Sequence, residues 1–296
     1  MQHIPVLVPE VVEGLALTPD AVVVDATLGG GGHTQAIASV LDQNGKIIAF
    51  DVDPVALADA QVWHQQLTPE VVLVNKNFAT LKESLHQLGL ETVNGILADL
   101  GWRMEQFSQG GRGFSFMVDE PLLMTFGEPN QYTCTAADIL NEWEVEQIAN
   151  VLFGYGEERY AKRIAHAVVQ ARQKARIETS GQLAALVADA VPKKYVYSKV
   201  HPATKTFQAL RIAVNDELSI LESFLEQALS SLAVGGRLAI ISFHSLEDRI
   251  VKHTFREWAK TGRAKLITKR PISASPEETR RNSRARSAKL RIIELS

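Results

Sequence analysis

The first hundred residues alternate between short apolar runs rich in β-branched residues and longer stretches whose apolar positions recur at helical spacing. Residues 21–25 (AVVVD), 46–51 (KIIAFD), 71–74 (VVLV) and 93–99 (VNGILAD) read as buried strands, with helices expected over 33–41, 54–64 and 78–88. Strands alternating with helices imply right-handed crossovers and a parallel sheet covered on both faces. After Asp99 the rhythm stops, and residues 101–132, rich in Gly, Phe and Pro without a period, read as long functional loops. The pattern then turns helical over 136–153, 157–174 and 180–191. A basic loop follows at 193–204, and residues 206–232 predict one long helix ended by Gly235 and Gly236. Residues 237–242 (RLAIIS) restore the buried-strand pattern. Residues 245–260 predict a helix with Ser245 and Asp248 at capping-box spacing, and 290–295 (LRIIEL) a last strand with 266–269 as a neighbour. The organisation implied is an α/β domain made of residues 1–130 and 205–296, interrupted by an all-helical insertion over 131–204.

Composition narrows the class. With 46% hydrophobic and 22% charged residues in 296, the chain can bury a large core. No run approaches the length of a membrane span, and the start has neither the basic nor the apolar region of a signal peptide, which fits a cytoplasmic protein. A single cysteine, Cys134, excludes an intrachain disulfide and a clustered-thiolate metal site, so no metal is expected. The net charge of −3 conceals an asymmetry: residues 1–130 hold 5 Lys/Arg against 16 Asp/Glu, whereas residues 260–291 hold eleven basic residues and two acids. That stretch reads either as a solvated tail or as a one-sided phosphate-contacting surface.

Chemistry enters at Asp25-Ala-Thr-Leu-Gly-Gly-Gly-Gly-His33-Thr34, between the first strand and the first helix after it. Glycines there permit positive φ and close approach of a ligand, and the helix offers free N–H groups. Asp51 closes the second strand, where an acid accepts from two ribose hydroxyls. A nucleoside-bearing cofactor is indicated; NAD and S-adenosyl-L-methionine both qualify, and the absence of a clean G-x-G-x-x-G leans away from a dinucleotide. Phe78 follows the third strand, as an adenine-packing ring or a core aromatic. Asp99 ends the fourth, beside the expected topological switch, to hold a cationic donor, accept a substrate proton or cap a turn.

These segments, together with His3-Ile-Pro-Val-Leu7, Arg112-Gly-Phe-Ser-Phe116, Tyr155-Gly-Glu-Glu-Arg159, His201-Pro-Ala-Thr204, the run 206–215 (TFQALRIAVN), the run 242–249 (SFHSLEDR) and the run 284–291 (RARSAKLR), closely resemble the MraW (RsmH) family over nearly the whole chain. The resemblance implies a class I S-adenosyl-L-methionine-dependent methyltransferase fold with a helical insertion. It also implies methylation of the exocyclic N4 of a cytosine in the decoding region of bacterial 16S rRNA, with the small ribosomal subunit as partner. Carried over by motif, the donor site falls on Gly31, Gly32, His33, Asp51, Phe78, Asp99 and Gln106. The chain departs from the family pattern at Trp102, Arg103 and Met104, where Val-Ser-Ser is usual, and at Leu123 and Thr125, where an acid and an arginine are usual. Both departures flank the expected acceptor pocket.

A sulfonium methyl carbon is already activated, so the protein must align donor and acceptor and exclude water. The amine of cytosine is a weak nucleophile, and an acceptor facing its N–H would take the proton as the bond forms. Asp99 is assigned that role, with His244 as the alternative; His244 also reads as a satisfied structural histidine. Arg103, Arg112, Phe114, Phe116 and His201 are the remaining candidates for contact with an unpaired base or its phosphates. Cys134 lies away from any strand end, which argues against C5 methylation through a thiolate adduct. Rival readings are an NAD(P)-dependent oxidoreductase, a non-catalytic RNA-binding factor and a small-molecule methyltransferase.

Overall fold

The computed structural model describes residues 4–100, 111–196 and 200–296, so the expectations placed on Trp102, Arg103, Met104 and Gln106 lie outside the described residues. The chain divides into two compact units, Met1–Arg103 with Leu218–Ser296, and Met104–Glu217. The divisions expected at 130 and 205 are corrected by packing. Leu122 and Met124 on one side of the helical stretch, and Phe207, Leu210 and Val214 on the other, are all buried in the core of the second unit.

The first unit is built on a seven-stranded sheet: β1 (Val22–Asp25), β2 (Lys46–Phe50), β3 (Glu70–Val74), β4 (Val93–Asp99), β5 (Leu232–Ser242), β6 (Ala264–Leu266) and β7 (Lys289–Leu295). The spatial order is β3-β2-β1-β4-β5-β7-β6. The first five strands run parallel, and β7 is antiparallel to both β5 and β6. This is the mostly parallel, Rossmann-like α/β fold that the alternating pattern predicted. The period of two sorts side chains between faces. Val24, Ile96, Ala98, Leu238 and Ile240 enter one core with Phe50, Phe224 and Phe255, while Val23, Leu97, Ala239 and Ile241 enter the other. Each large apolar side chain buried here contributes about 1.5–3 kcal/mol. The covering helices are α1 (Val8–Leu15), α2 (Gly32–Ala38), α3 (Pro54–Trp63) and α4 (Leu81–Gln87). The strand order reverses between β1 and β4, and a ligand of such a sheet binds beyond the carboxyl ends at that point.

The second unit is helical: α5 (Ala136–Glu142), α6 (Val145–Gly156), α7 (Ala161–Arg172), α8 (Ser180–Ala190), the single turn α9 (Lys193–Val196) and α10 (Thr204–Asn215). Three expectations fail here or in the helices that follow, each for a capping reason. The helix expected over 136–153 is two helices, because Glu144 and Gln147 form a reciprocal capping box that starts α6 afresh. The long helix expected over 206–232 breaks at Asp216, which adopts φ 48° between α10 and α11 (Glu217–Ser231). Glycines do not end α11; residues 235 and 236 lie within β5. The helix α12 (Ser245–Lys260) starts as expected, but its capping pair is His244 with Glu247, one position before the expected Ser245 and Asp248. A last short helix, α13 (Pro276–Arg281), precedes β7. No described helix is long and apolar enough to cross a membrane.

Candidate active site

β1 ends on Asp25 and the chain turns at once into the glycine loop. Gly29 and Gly31 adopt φ of 52° and 74°, which an L side chain resists. Leu28 N–H donates to the Phe50 carbonyl at 2.8 Å, and Gly29 N–H donates to Asp51 Oδ2 at 2.8 Å. Asp51 Oδ1 accepts from Asp53 N–H at 2.9 Å, so the carboxylate beyond β2 is fixed by the glycine loop on one side and the start of α3 on the other. At two positions the close approach that glycine permits is made by the protein itself. A Cβ on Gly31 would lie 2.1 Å from Trp63 Cζ2, and one on Gly32 would lie 2.5 Å from Pro5 Cγ.

Asp25, His33 and Asp99 converge behind this loop. Asp25 is fully buried; its Oδ2 accepts from the Thr34 hydroxyl at 2.6 Å and its Oδ1 from Thr27 N–H at 3.1 Å. Burial pushes its carboxyl above the ordinary range, against the lowering effect of Thr34 and His33. The Thr27 hydroxyl accepts from Asp99 N–H at 2.7 Å, tying the end of β4 to the loop after β1. His33 Nδ1 lies 3.8 Å from Asp99 Oδ2, and His33 Nε2 lies 2.8 Å from the Val6 carbonyl. Phe78 meets Phe224 edge-on at 4.8 Å and leans on the core beside β3. The structure therefore gathers Gly31, Gly32, His33, Asp51 and Asp99 at adjoining strand ends, with Phe78 after the neighbouring strand. Sequence reasoning missed Asp25 and the N-terminal segment. The signal for the latter was a motif, His3-Ile-Pro-Val-Leu7, that carried no assigned role.

The residues expected to touch the acceptor part company. Arg112 Nη1 lies 3.2, 2.6 and 3.0 Å from the carbonyls of Thr125, Phe126 and Gly127, so its guanidinium clamps its own segment. Phe114 stacks on Phe126 at 5.5 Å. Phe116 is brought together with His201, in a near-parallel stack at 4.2 Å, with Phe207 edge-on at 5.2 Å beneath; His201 is exposed. His244 caps α12 through Nδ1, whereas its buried Nε2, 3.1 Å from Glu247 Oε1, makes no hydrogen bond among the described residues. Thr125 is fully buried and its hydroxyl donates to the Gly127 carbonyl at 3.0 Å, so the departure at 125 is an interior one. The basic stretch near the C-terminus is divided too. Lys289 and Arg291 bind Asp248 at 3.0 and 2.7 Å, and with burial opposing them they hold its carboxyl below the ordinary range. Lys260, Lys265, Lys269, Arg270, Arg280 and Arg286 are exposed.

Comparison with known proteins identifies the family. The model of the MraW methylase family matches residues 1–296. The chain is 42% identical over 308 residues to the ribosomal RNA small subunit methyltransferase H of Oceanobacillus iheyensis, covering 99% of this chain and 94% of that protein. Among solved structures it is similar to an rRNA methylase from Streptococcus thermophilus, with a TM-score of 0.42 at 14% identity, covering 97% of this chain and 93% of that one. TrmN from Thermus thermophilus gives a TM-score of 0.46 at 11% identity, covering 98% of this chain and 48% of that one.

Proposed function

The chain belongs to the MraW methylase family, and we propose that it methylates the exocyclic N4 of a cytosine in the decoding region of bacterial 16S rRNA, using S-adenosyl-L-methionine. The observation that carries this reading is the set of groups at the strand ends, where Asp51 is held by Gly29 and Asp53 and Asp99 is held beside His33. Bound there, S-adenosyl-L-methionine supplies a sulfonium methyl carbon open to attack. Asp51 would accept from the ribose hydroxyls, Phe78 would flank the adenine, and the backbone of Gly31, Gly32 and His33 would line the donor; Gln106, outside the described residues, is assigned to the same site by its motif alone. Asp99 would face the acceptor amine and take its N–H proton as the amine nitrogen bonds to the methyl carbon, with the thioether as leaving group.

The second unit supplies RNA contact in this reading. The exposed His201 on Phe116 is a ring platform of the kind that stacks on unpaired bases. Exposed Lys162, Arg163, Lys193 and Lys194, and the exposed cations between 260 and 286, meet phosphates. Arg103 is retained as an acceptor-side residue on the strength of its place beside Asp99 in the sequence. The site of action in this reading is the cytoplasm.

Incubating the protein with labelled donor and small subunits lacking the modification, then digesting to nucleosides, tests the assignment. Label in N4-methylcytidine is expected. Label in N6-methyladenosine or 5-methylcytidine, or none with any ribosomal acceptor, overturns it.

A further inference from the structure

The run Tyr155-Gly-Glu-Glu-Arg159 forms the turn between α6 and α7. Glu157 ends α6 at φ 48°, and its N–H donates to the Phe153 carbonyl at 3.0 Å. The turn sends Glu158 inward and Arg159 outward: the first is fully buried and the second is exposed. Glu158 Oε1 accepts from Tyr160 N–H at 2.8 Å, and its Oε2 accepts from the Tyr195 hydroxyl at 2.8 Å. The two tyrosine rings meet edge-on at 5.1 Å. The Arg159 guanidinium rests over both, 4.8 Å from the Tyr160 centroid and 4.7 Å from that of Tyr195. A guanidinium laid on a ring is stripped of water on that face and held in one plane, while its N–H donors stay at the rim. Among the described residues Arg159 makes no hydrogen bond or ion pair, so those donors are open to a ligand. The surrounding charge is mainly positive. Lys162 and Arg163 follow in the first turn of α7, and Lys193 and Lys194 open the turn α9 that carries Tyr195; all four are exposed, against the exposed acid Glu157. A forked donor in a positive field selects paired anionic oxygens, and on an RNA those belong to the backbone phosphate.

We propose that Arg159, braced on Tyr160 and Tyr195, grips a backbone phosphate of the RNA substrate through a bidentate contact, and that Glu158 positions it by holding the Tyr195 ring. The inference rests on the reading that the second unit contacts RNA. The lysines around Arg159 supply charge without geometry, whereas Arg159 supplies a fixed fork. A lysine in its place therefore keeps the charge and loses the grip.

Equilibrium binding to unmodified small subunits and to protein-free 16S rRNA decides it, and neither measurement needs methyl transfer. In Arg159→Lys, affinity for both should fall about 10-fold, while the slope of log K against log salt keeps its wild-type value. In Arg159→Ala the fall should be at least as large, and the slope should drop by about one. Tyr195→Leu, which keeps the arginine and removes its brace, should reproduce the Arg159→Lys loss at an unchanged slope. Calorimetric affinity for S-adenosyl-L-methionine and the Tm of Arg159→Lys should match wild type, which a residue that only packs the turn would not combine with weaker RNA binding. Full RNA affinity in Arg159→Lys, or a loss shared with donor affinity and Tm, overturns the proposal. So does a loss confined to subunits, or protein-free rRNA that wild type fails to bind, because the ligand is then an acidic protein segment. The double variant Lys162→Ala, Lys193→Ala separates the two readings. Wild-type affinity there sinks the assignment of RNA contact to the second unit. Weakened binding there beside full affinity in Arg159→Lys sinks the role of Arg159 alone.

Discussion

At the carboxyl edge of the sheet stand the carboxyl groups of Asp25, Asp51 and Asp99, each placed by the end of a strand. In residues 112–127 of the other unit, charge turns back on the chain's own backbone. Arg112 clamps three successive carbonyls, Glu120 accepts from Gly113 N–H at 3.0 Å, and Asp119 accepts from Gly181 N–H at 2.8 Å. The two regions share a vocabulary of glycines and charges, and in both the carboxylates accept backbone N–H groups; they differ in what sets the place of those side chains. Parallel strands stop at a common edge, so their last side chains assemble whatever the loops do. An irregular segment has no ladder for its peptide groups, and its polar side chains must satisfy them.

The largest effect that would break this contrast lies in the irregular segment. Gly113 adopts φ 71°, and a Cβ there would lie 2.4 Å from the Pro121 carbonyl oxygen; Gly111, at φ 57°, has nothing within 4 Å. Gly113→Ala should therefore destabilise the protein by about 3–4 kcal/mol and Gly111→Ala by about 1 kcal/mol in urea unfolding. Equal losses at the two positions would mean that φ alone matters and that the segment is not packed as described.

Next in size is Arg112. Its removal leaves carbonyls without their donor, and Arg112→Ala should cost about 2–3 kcal/mol of stability. A residue that touches a phosphate would also lower the slope of log K against log salt for RNA binding by about one. The expected slope is unchanged, and a reduced one would return Arg112 to the acceptor site, where the sequence had placed it.

Those two cases show why the fold was legible and part of the site was not. Strand positions follow from period-two apolar runs, and the glycine loop, Asp51 and Asp99 follow from strand ends. Arg112 was read as a substrate contact because its acceptors are backbone atoms, which no residue pattern displays. The break at Glu144 carried a legible signature, Glu-x-x-Gln, inside a run whose apolar spacing suggested continuity. Asp216 carried only the tolerance of Asn-Asp for positive φ. The link from Asn282 to Ile4 spans almost the whole chain, and sequence spacing holds no trace of it.

At the sheet edge the corresponding substitution should act on ligand affinity. Asp51→Ala should weaken S-adenosyl-L-methionine binding by about 1–2 kcal/mol, roughly 5- to 30-fold, measured by calorimetry. Part of that loss comes from the freed N–H groups of Gly29 and Asp53. Unchanged affinity would remove Asp51 from the donor site and leave the two regions alike in turning their charge on themselves.

The smallest effect separates the regions by pH. The Asp119 carboxyl is held below its ordinary range first by a hydrogen bond from the Thr179 side chain and then by the Gly181 N–H, with burial opposing. A carboxyl lowered on folding contributes stability that is present above its unfolded pKa, about 3.9, and lost as pH falls through the folded value. Asp119→Asn keeps an acceptor oxygen but no charge, so wild type should melt slightly higher at pH 7. That gap in Tm should close as pH falls below the ordinary carboxylate range. Added salt should shrink it at neutral pH, because the group is exposed. A gap that persists unchanged at low pH would assign the difference to the shape of the side chain. Asp119 would then belong with the neutral packing of the segment and not with its charge.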